Sequence, residues 1–205
     1  MSYSSRVIAI LALLLPFSLP VVAKDAVSEL SALLGPLASL EGSFRQQIFD
    51  ESGEELQSSN GKFHVQRPGR IRWESNEPFP QLLVTNNSTI WLYDPDLEQV
   101  TVRKTDRGLH ETPALLLGGN PAEIASAFHV GKAGKRFQLS PKKSGSPFRF
   151  LEIEFDKKGL PKNMSVRDSM GQTTKIRFSR VKANPSLNAG LFQFTPPPGT
   201  DIIKE

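Results

Sequence analysis

Three histidines, two carboxylates on alternate residues and one arginine set before a proline are the side chains of this 205-residue chain that invite a chemical reading. His64, His110 and His129 are far too widely spaced for a metal site, in which paired ligands are separated by roughly two to five residues. His64 alternates with Phe63 and Val65 in an extended stretch, the position of a solvated histidine. His129 closes a short helical stretch, where a cation suits the helix dipole. Glu152 and Glu154 share one strand face, the usual pattern of a solvated surface rather than of an acid–base pair. There is no Gly-x-Ser-x-Gly elbow, no Ser-x-x-Lys box and no phosphate-cradling glycine motif. Cysteine is absent, which removes disulfides, thiolate chemistry and thiol ligands. The expectation is a binding protein without catalytic residues, cofactor or metal.

The arginine is the more informative residue. In Arg67-Pro68-Gly69-Arg70-Ile71-Arg72-Trp73, Pro68 lacks a backbone donor and biases Arg67 towards extended backbone. Charge and hydrophobe then alternate, so Arg70 and Arg72 project to one face and Ile71 and Trp73 to the other. A guanidinium thus stands at the entrance of an aromatic-bearing strand. It fits an ordinary rim arginine, and it fits a charged latch at the mouth of an apolar cavity.

The elements that position these residues follow from periodicity. Asp25–Leu40 reads as an amphipathic helix, with leucines at 30, 33, 34, 37 and 40, a cap at Asp25 or Ser28, and a kink at Pro36. From Phe44 the period changes towards two. Strands are expected at Phe44–Phe49, Glu55–Gln66, Arg70–Ser75, Gln81–Thr85, Thr89–Asp94 and Gln99–Lys104, separated by glycine, proline and asparagine turns. Thr112-Pro113 opens a leucine-rich helix stopped by Gly118-Gly119. Asn120-Pro121 starts a second short helix through Ile124 and Phe128. Strands resume at Phe137–Ser140, Phe148–Phe155, Met164–Arg167, Thr173–Val181 and Phe192–Thr195. Within Phe148–Phe155 the apolar residues change face, which a β-bulge would reconcile. About eleven meandering strands with few helices predict a mainly β fold, a curled antiparallel sheet whose helices cover one open face.

Composition sets the setting. Residues 1–23 read as a signal peptide, with Arg6 before a proline-broken apolar run and small residues at Val21-Val22-Ala23. Residues 24–205 then form one domain. The formal charge of +4, from which cleavage would remove Arg6, is too small and too evenly spread to argue for nucleic acid. Thirteen phenylalanines against two tyrosines favour surfaces that offer no hydrogen bond. They fit core packing, and they also fit the concave wall of a container for an apolar ligand.

Four segments together resemble the LolA family of outer-membrane lipoprotein carriers. They are the Arg67–Trp73 block, Trp91-Leu92-Tyr93-Asp94-Pro95, the Thr112-Pro113 helix opening, and Phe192-Gln193-Phe194-Thr195-Pro196-Pro197-Pro198-Gly199. The resemblance spans most of the chain beyond the signal segment. One departure is Ile71, where the family usually has phenylalanine. The resemblance implies an unclosed antiparallel β-barrel with a helical lid over a hydrophobic cavity. It implies a monomeric periplasmic carrier that takes lipoproteins from the inner-membrane LolCDE transporter, shields their acyl chains and passes them to LolB at the outer membrane. It gives Arg67 the role of lid latch, bonded to lid backbone. Phe44, Phe63, Ile71, Trp73, Trp91, Leu115, Leu116, Phe148 and Phe150 are the expected acyl-chain residues. The alternative is a periplasmic lipid- or lipoprotein-sensing domain on the same half-barrel. LolB itself would need a lipidated cysteine, and a lipid esterase would need a nucleophile.

Overall fold

The computed structural model describes residues 25–76, 78–104 and 113–205, without the side chains of residues 113–115. The expected signal segment lies outside the described residues. Helix α1 (Ala26–Leu34) starts at Asp25, whose carboxylate accepts from the Ser28 amide at 2.9 Å. It ends at Leu34, two residues before Pro36, and so stops short of the expected Leu40. Proline has no N–H to continue a helix, and its ring clashes with the carbonyl of the preceding turn. Leu37 and Leu40 are still buried, Leu40 as the second residue of the first strand.

Six strands follow as successive hairpins: β1 (Ser39–Phe49), β2 (Glu55–Gln66), β3 (Arg70–Ser75), β4 (Gln81–Asn86), β5 (Thr89–Asp94) and β6 (Gln99–Lys104). Helix α2 (Pro113–Gly118), a 3-10 turn (Pro121–Glu123) and α3 (Ile124–Ala127) lead to a second meander. Its strands are β7 (Phe128–Ala133), β8 (Arg136–Pro141), β9 (Phe148–Phe155), β10 (Pro161–Asp168) and β11 (Thr173–Ala183). The expected helix through Phe128 therefore ends at Ala127, and Phe128 and His129 belong to a strand. A 3-10 turn at Ala189–Phe192 replaces the strand expected at Phe192–Thr195. Asn188 caps the turn through the Gly190 amide, and Pro196-Pro197-Pro198 cannot donate to a ladder. A last strand, β12 (Asp201–Lys204), pairs in parallel with β6.

One twelve-stranded sheet results, in the order β12-β6-β5-β4-β3-β2-β1-β11-β10-β9-β8-β7. It is unclosed, and every neighbouring pair except β12–β6 is antiparallel. The two meanders meet at β1 and β11. Alternation gives the sheet an inner and an outer face. The inner face carries Leu40, Phe44, Phe63, Val65, Ile71, Trp73, Phe178 and their neighbours. Leu30 and Leu34 of α1, Leu116 and Leu117 of α2 and Ile124 of α3 pack into the same cluster. The helices thus cover the inner face. Among the described residues no helix is long and apolar enough to cross a membrane.

Candidate functional site

Arg67 follows the last residue of β2, where the turn into β3 reaches the helices. Its Nε donates to the Leu117 carbonyl of α2 at 2.9 Å, and its Nη1 donates to the Leu34 carbonyl, the last of α1. These are helix C-terminal carbonyls, which lack intrahelical donors and carry the negative end of the dipole. One guanidinium therefore meets the exposed ends of two helices. The backbone reinforces the join: the Arg67 amide donates to Ala38 and the Gly69 amide to Gly118, each at 2.9 Å. Burial lowers the Arg67 pKa to about 10, which leaves the side chain cationic at neutral pH. Its Nη2 is buried and has no hydrogen-bond partner among the described residues.

Beneath this junction lies an aromatic floor. Phe44 and Trp73 stack with ring centroids 4.1 Å apart. Phe63 lies 5.8 Å from Trp73, and Phe178 meets both Phe63 and Trp73 edge-on at 5.3 and 6.1 Å. The Phe44 ring lies directly over Gly61, where a Cβ would come within 2.4 Å of it. α2 sits equally close, since a Cβ at Gly118 would come 2.7 Å from Ile71 Cδ1. Leu116 is buried in the same cluster, as are Phe148 and Phe128 with rings 6.2 Å apart.

Phe44, Phe63, Ile71, Trp73, Leu116 and Phe148 thus share one face. Leu115 lies outside the described side chains. Trp91 and Phe150 do not share that face, and both expectations are corrected here. Ile71 pairs with Thr85 and Thr85 with Ile90, which puts Trp91 on the outer face opposite Val84 and Val102. Phe150 pairs with Arg167 while its neighbour Leu151 pairs with Val166 on the inner face. A register shift between Arg167 and Asp168 lets Phe148 turn inward although Phe150 turns out. The outer face has its own apolar set: Val84, Val100 and Phe192 are fully covered, and Tyr93 packs on Phe194 with centroids 5.4 Å apart.

Phe178 was not among the expected residues, although its alternation with Ile176 in β11 was a readable signal. Two further features escape sequence reasoning because they need distant elements. Lys132 of β7 forms an ion pair with Glu29 of α1 and lies 5.4 Å from the Phe137 ring centroid. Beside α1 runs a cleft of about 610 Å³ with Ala32, Leu33, Phe137 and Phe155 on its walls and Lys135 and Lys157 at its rim.

The groups that invited a catalytic reading are dispersed. His64 faces outward between Glu41 and Arg72, and burial lowers its pKa. His129 is exposed on β7, and His110 lies outside the described residues. Glu154 accepts from the Asn163 amide at 2.9 Å, which holds its carboxyl below the usual range. Among the described residues no three metal-ligating side chains are grouped.

The family model described as outer membrane lipoprotein carrier protein LolA matches residues 36–195. A protein named outer-membrane lipoprotein carrier protein from Azotobacter vinelandii is 43% identical over 184 residues, covering 88% of each chain. One of the same name from Alcanivorax borkumensis is 39% identical over 186 residues, again 88% of each. Among solved structures, an uncharacterized conserved protein from Thermus thermophilus shares the fold. Its TM-score is 0.51 at 12% identity, over 88% of this chain and 100% of that one.

Proposed function

The chain belongs to the LolA family of outer membrane lipoprotein carrier proteins, and from that premise we propose how it carries its cargo. It acts in the periplasm as a monomer, shielding lipoprotein acyl chains on the inner face of its sheet. It accepts them from the LolCDE transporter of the inner membrane and delivers them to LolB at the outer membrane. The role is carriage, with no catalytic step.

The observation that supports this reading is the double contact of Arg67 with the ends of α1 and α2. An anchor with on the order of 40 methylenes represents roughly 30 kcal/mol of hydrophobic transfer at ~0.8 kcal/mol per methylene. A carrier must offer nearly that much apolar surface and still let the cargo leave. Here Leu34, Leu116, Leu117 and Ile124 occupy the aromatic floor when the helices are down. Acyl chains enter by displacing them, and the apolar surface given up by the leucines is replaced by lipid. The Arg67 bonds are lost in that exchange, at about 1.5–3 kcal/mol for each charged bond. Closure around Arg67 therefore sets loading against release. Loading costs enough that cargo is not trapped, and the empty carrier returns to a covered state.

The test incubates residues 24–205 with inner-membrane spheroplasts and assays the soluble fraction for lipoproteins bound to the carrier. Release into that fraction is expected, and its absence sinks the carrier reading. Arg67→Leu should load cargo and retain it in the presence of the receptor. Normal delivery by that variant would remove Arg67 from the mechanism.

A further inference from the structure

On the outer face, on the opposite side of the sheet from the aromatic floor, β1 and β11 set two arginines directly opposite each other: Arg45 pairs with Arg177. Cβ atoms of such neighbours are about 4.5–5.5 Å apart, and like charges there repel. Both side chains are exposed. Neither has an ion-pair or hydrogen-bond partner among the described residues. The cross-strand row continues through Asn163 of β10 to Glu154 of β9. A parallel row holds Gln47, Lys175, Ser165 and Glu152. Together they line a groove of about 510 Å³.

Charge is distributed unequally along this groove. Its carboxylates are matched: Glu154 with Asn163 at 2.9 Å and Lys162 at 3.5 Å, Glu152 with Arg136 at 3.6 Å. At the β1–β11 end, Arg45, Arg177 and Lys175 form no ion pair among the described residues; the Glu55 carboxylate at that end accepts from the Gln47 amide at 2.8 Å. Lys175 instead rests over the Phe49 ring at 4.4 Å. We propose that this groove docks an acidic peptide segment of a protein partner, with one carboxylate bridging the guanidiniums of Arg45 and Arg177. Arginine is suited to the task, since its planar fork matches a carboxylate in two parallel bonds. The Gln47 and Asn163 side-chain carbonyls, whose amide nitrogens are already bonded to Glu55 and Glu154, are left to accept from the segment's backbone, and the Ser165 hydroxyl is available to it.

A peptide fits better than a membrane. An anionic lipid surface would be presented to Glu152 and Glu154 as well as to the arginines. A peptide can set an acidic residue at one end of the groove and a neutral or basic one at the other. The site lies on the far side of the sheet from α1 and α2, so a docked partner leaves those helices free to move. The proposal goes beyond the acyl-chain reading and does not depend on it.

The experiment uses residues 24–205 and a fluorescein-labelled synthetic peptide with an Asp-Glu pair at one end and a lysine at the other, separated by glycine and serine, read by anisotropy. Saturable binding that weakens with salt is expected. The Arg45→Gln/Arg177→Gln double variant should weaken it by about tenfold or more. Arg70→Gln/Arg149→Gln, which removes the same charge elsewhere, should change it less than about twofold. Circular dichroism checks that both variants keep the β-sheet spectrum. Equal losses in the two variants would reduce the effect to general charge attraction and overturn the site, as would no binding to the unmodified chain. Binding of phosphatidylglycerol vesicles, abolished by the first variant while the peptide fails to bind, would replace the peptide with lipid.

Discussion

Both faces of the sheet carry an apolar patch, and each patch has a cover, but the two covers are attached by different means. On the inner face α1 and α2 lie over Phe44, Phe63, Ile71, Trp73 and Phe178. What holds them besides packing is a handful of point contacts: the Arg67 bonds, the Gly69–Gly118 hydrogen bond and the Lys132–Glu29 ion pair. On the outer face the C-terminal segment lies over β3 and β4, with Phe192 fully buried and Phe194 against Tyr93. Its far end is a strand laddered to β6 along Asp201–Lys204. One cover is joined to the sheet by a few separate contacts; the other is part of the sheet. In the proposed function it is the first that exchanges its leucines for another apolar group.

The comparison can be broken most forcefully at Phe192. Truncation of a buried phenylalanine costs about 3–5 kcal/mol, so Phe192→Ala should lower the urea midpoint sharply. The folded fraction should still take up acyl chains at normal affinity. An uptake defect in that fraction would mean that the outer cover also takes part in carriage. A smaller effect is expected from Gly118→Ala. Its Cβ meets Ile71 Cδ1, the end of a fully buried side chain, and overpacking of that kind costs about 1–3 kcal/mol. Here the cost falls on the closed helices alone. Uptake of an apolar dye by the empty protein should rise, with little change in the far-ultraviolet spectrum. Smallest in energy is a pair of conservative changes that compares the two tryptophans. With brominated acyl chains bound, Trp91→Phe should keep strong quenching of the remaining Trp73, whereas Trp73→Phe should leave Trp91 almost unquenched. The reverse pattern would exchange the roles of the two faces.

The two-cover arrangement also explains what the sequence could and could not convey. Alternation located β2, β3, β5, β6 and β9 to the residue, because turn residues bracket strands with clear period two. It says which side chains share a face but not which face is inside. Val84, Trp91, Tyr93 and Val100 alternate as cleanly as Ile71 and Trp73, so Trp91 was assigned to the wrong side. Phe150 failed for a related reason: the bulge was readable, but not that it falls between Phe148 and Phe150, which turns Phe148 inward with Leu151, Ile153 and Phe155 and leaves Phe150 outside. Strand β7 went unseen because Gly131 and Lys132 interrupt its pattern, and β12 because four exposed residues give no periodic signal. Helix α1 was drawn too long because Leu37 and Leu40 keep helical spacing beyond Pro36. The position of Arg67 at the entrance of β3 was legible from the Arg-Pro step, and the latch role is what the family pattern implies. The Leu34 and Leu117 carbonyls that it meets lie 33 and 50 residues away, which no local pattern encodes.

The junction of β1 with β11 has a kinetic consequence. It joins Leu40 to Ala183, and Asn184 reaches across to the Ser39 carbonyl and the Ala38 amide at 2.8 Å each. The seam at the middle of the sheet therefore connects residues near 40 to residues near 183. Closing a loop of that length has an entropic cost that must be met before its contacts are gained, and folding rates fall as contacts become more distant in sequence. Each meander can form hairpins by itself, but the inner face becomes a continuous surface only once residue 183 is available. A chain synthesised only part of the way to residue 183 has no continuous inner face.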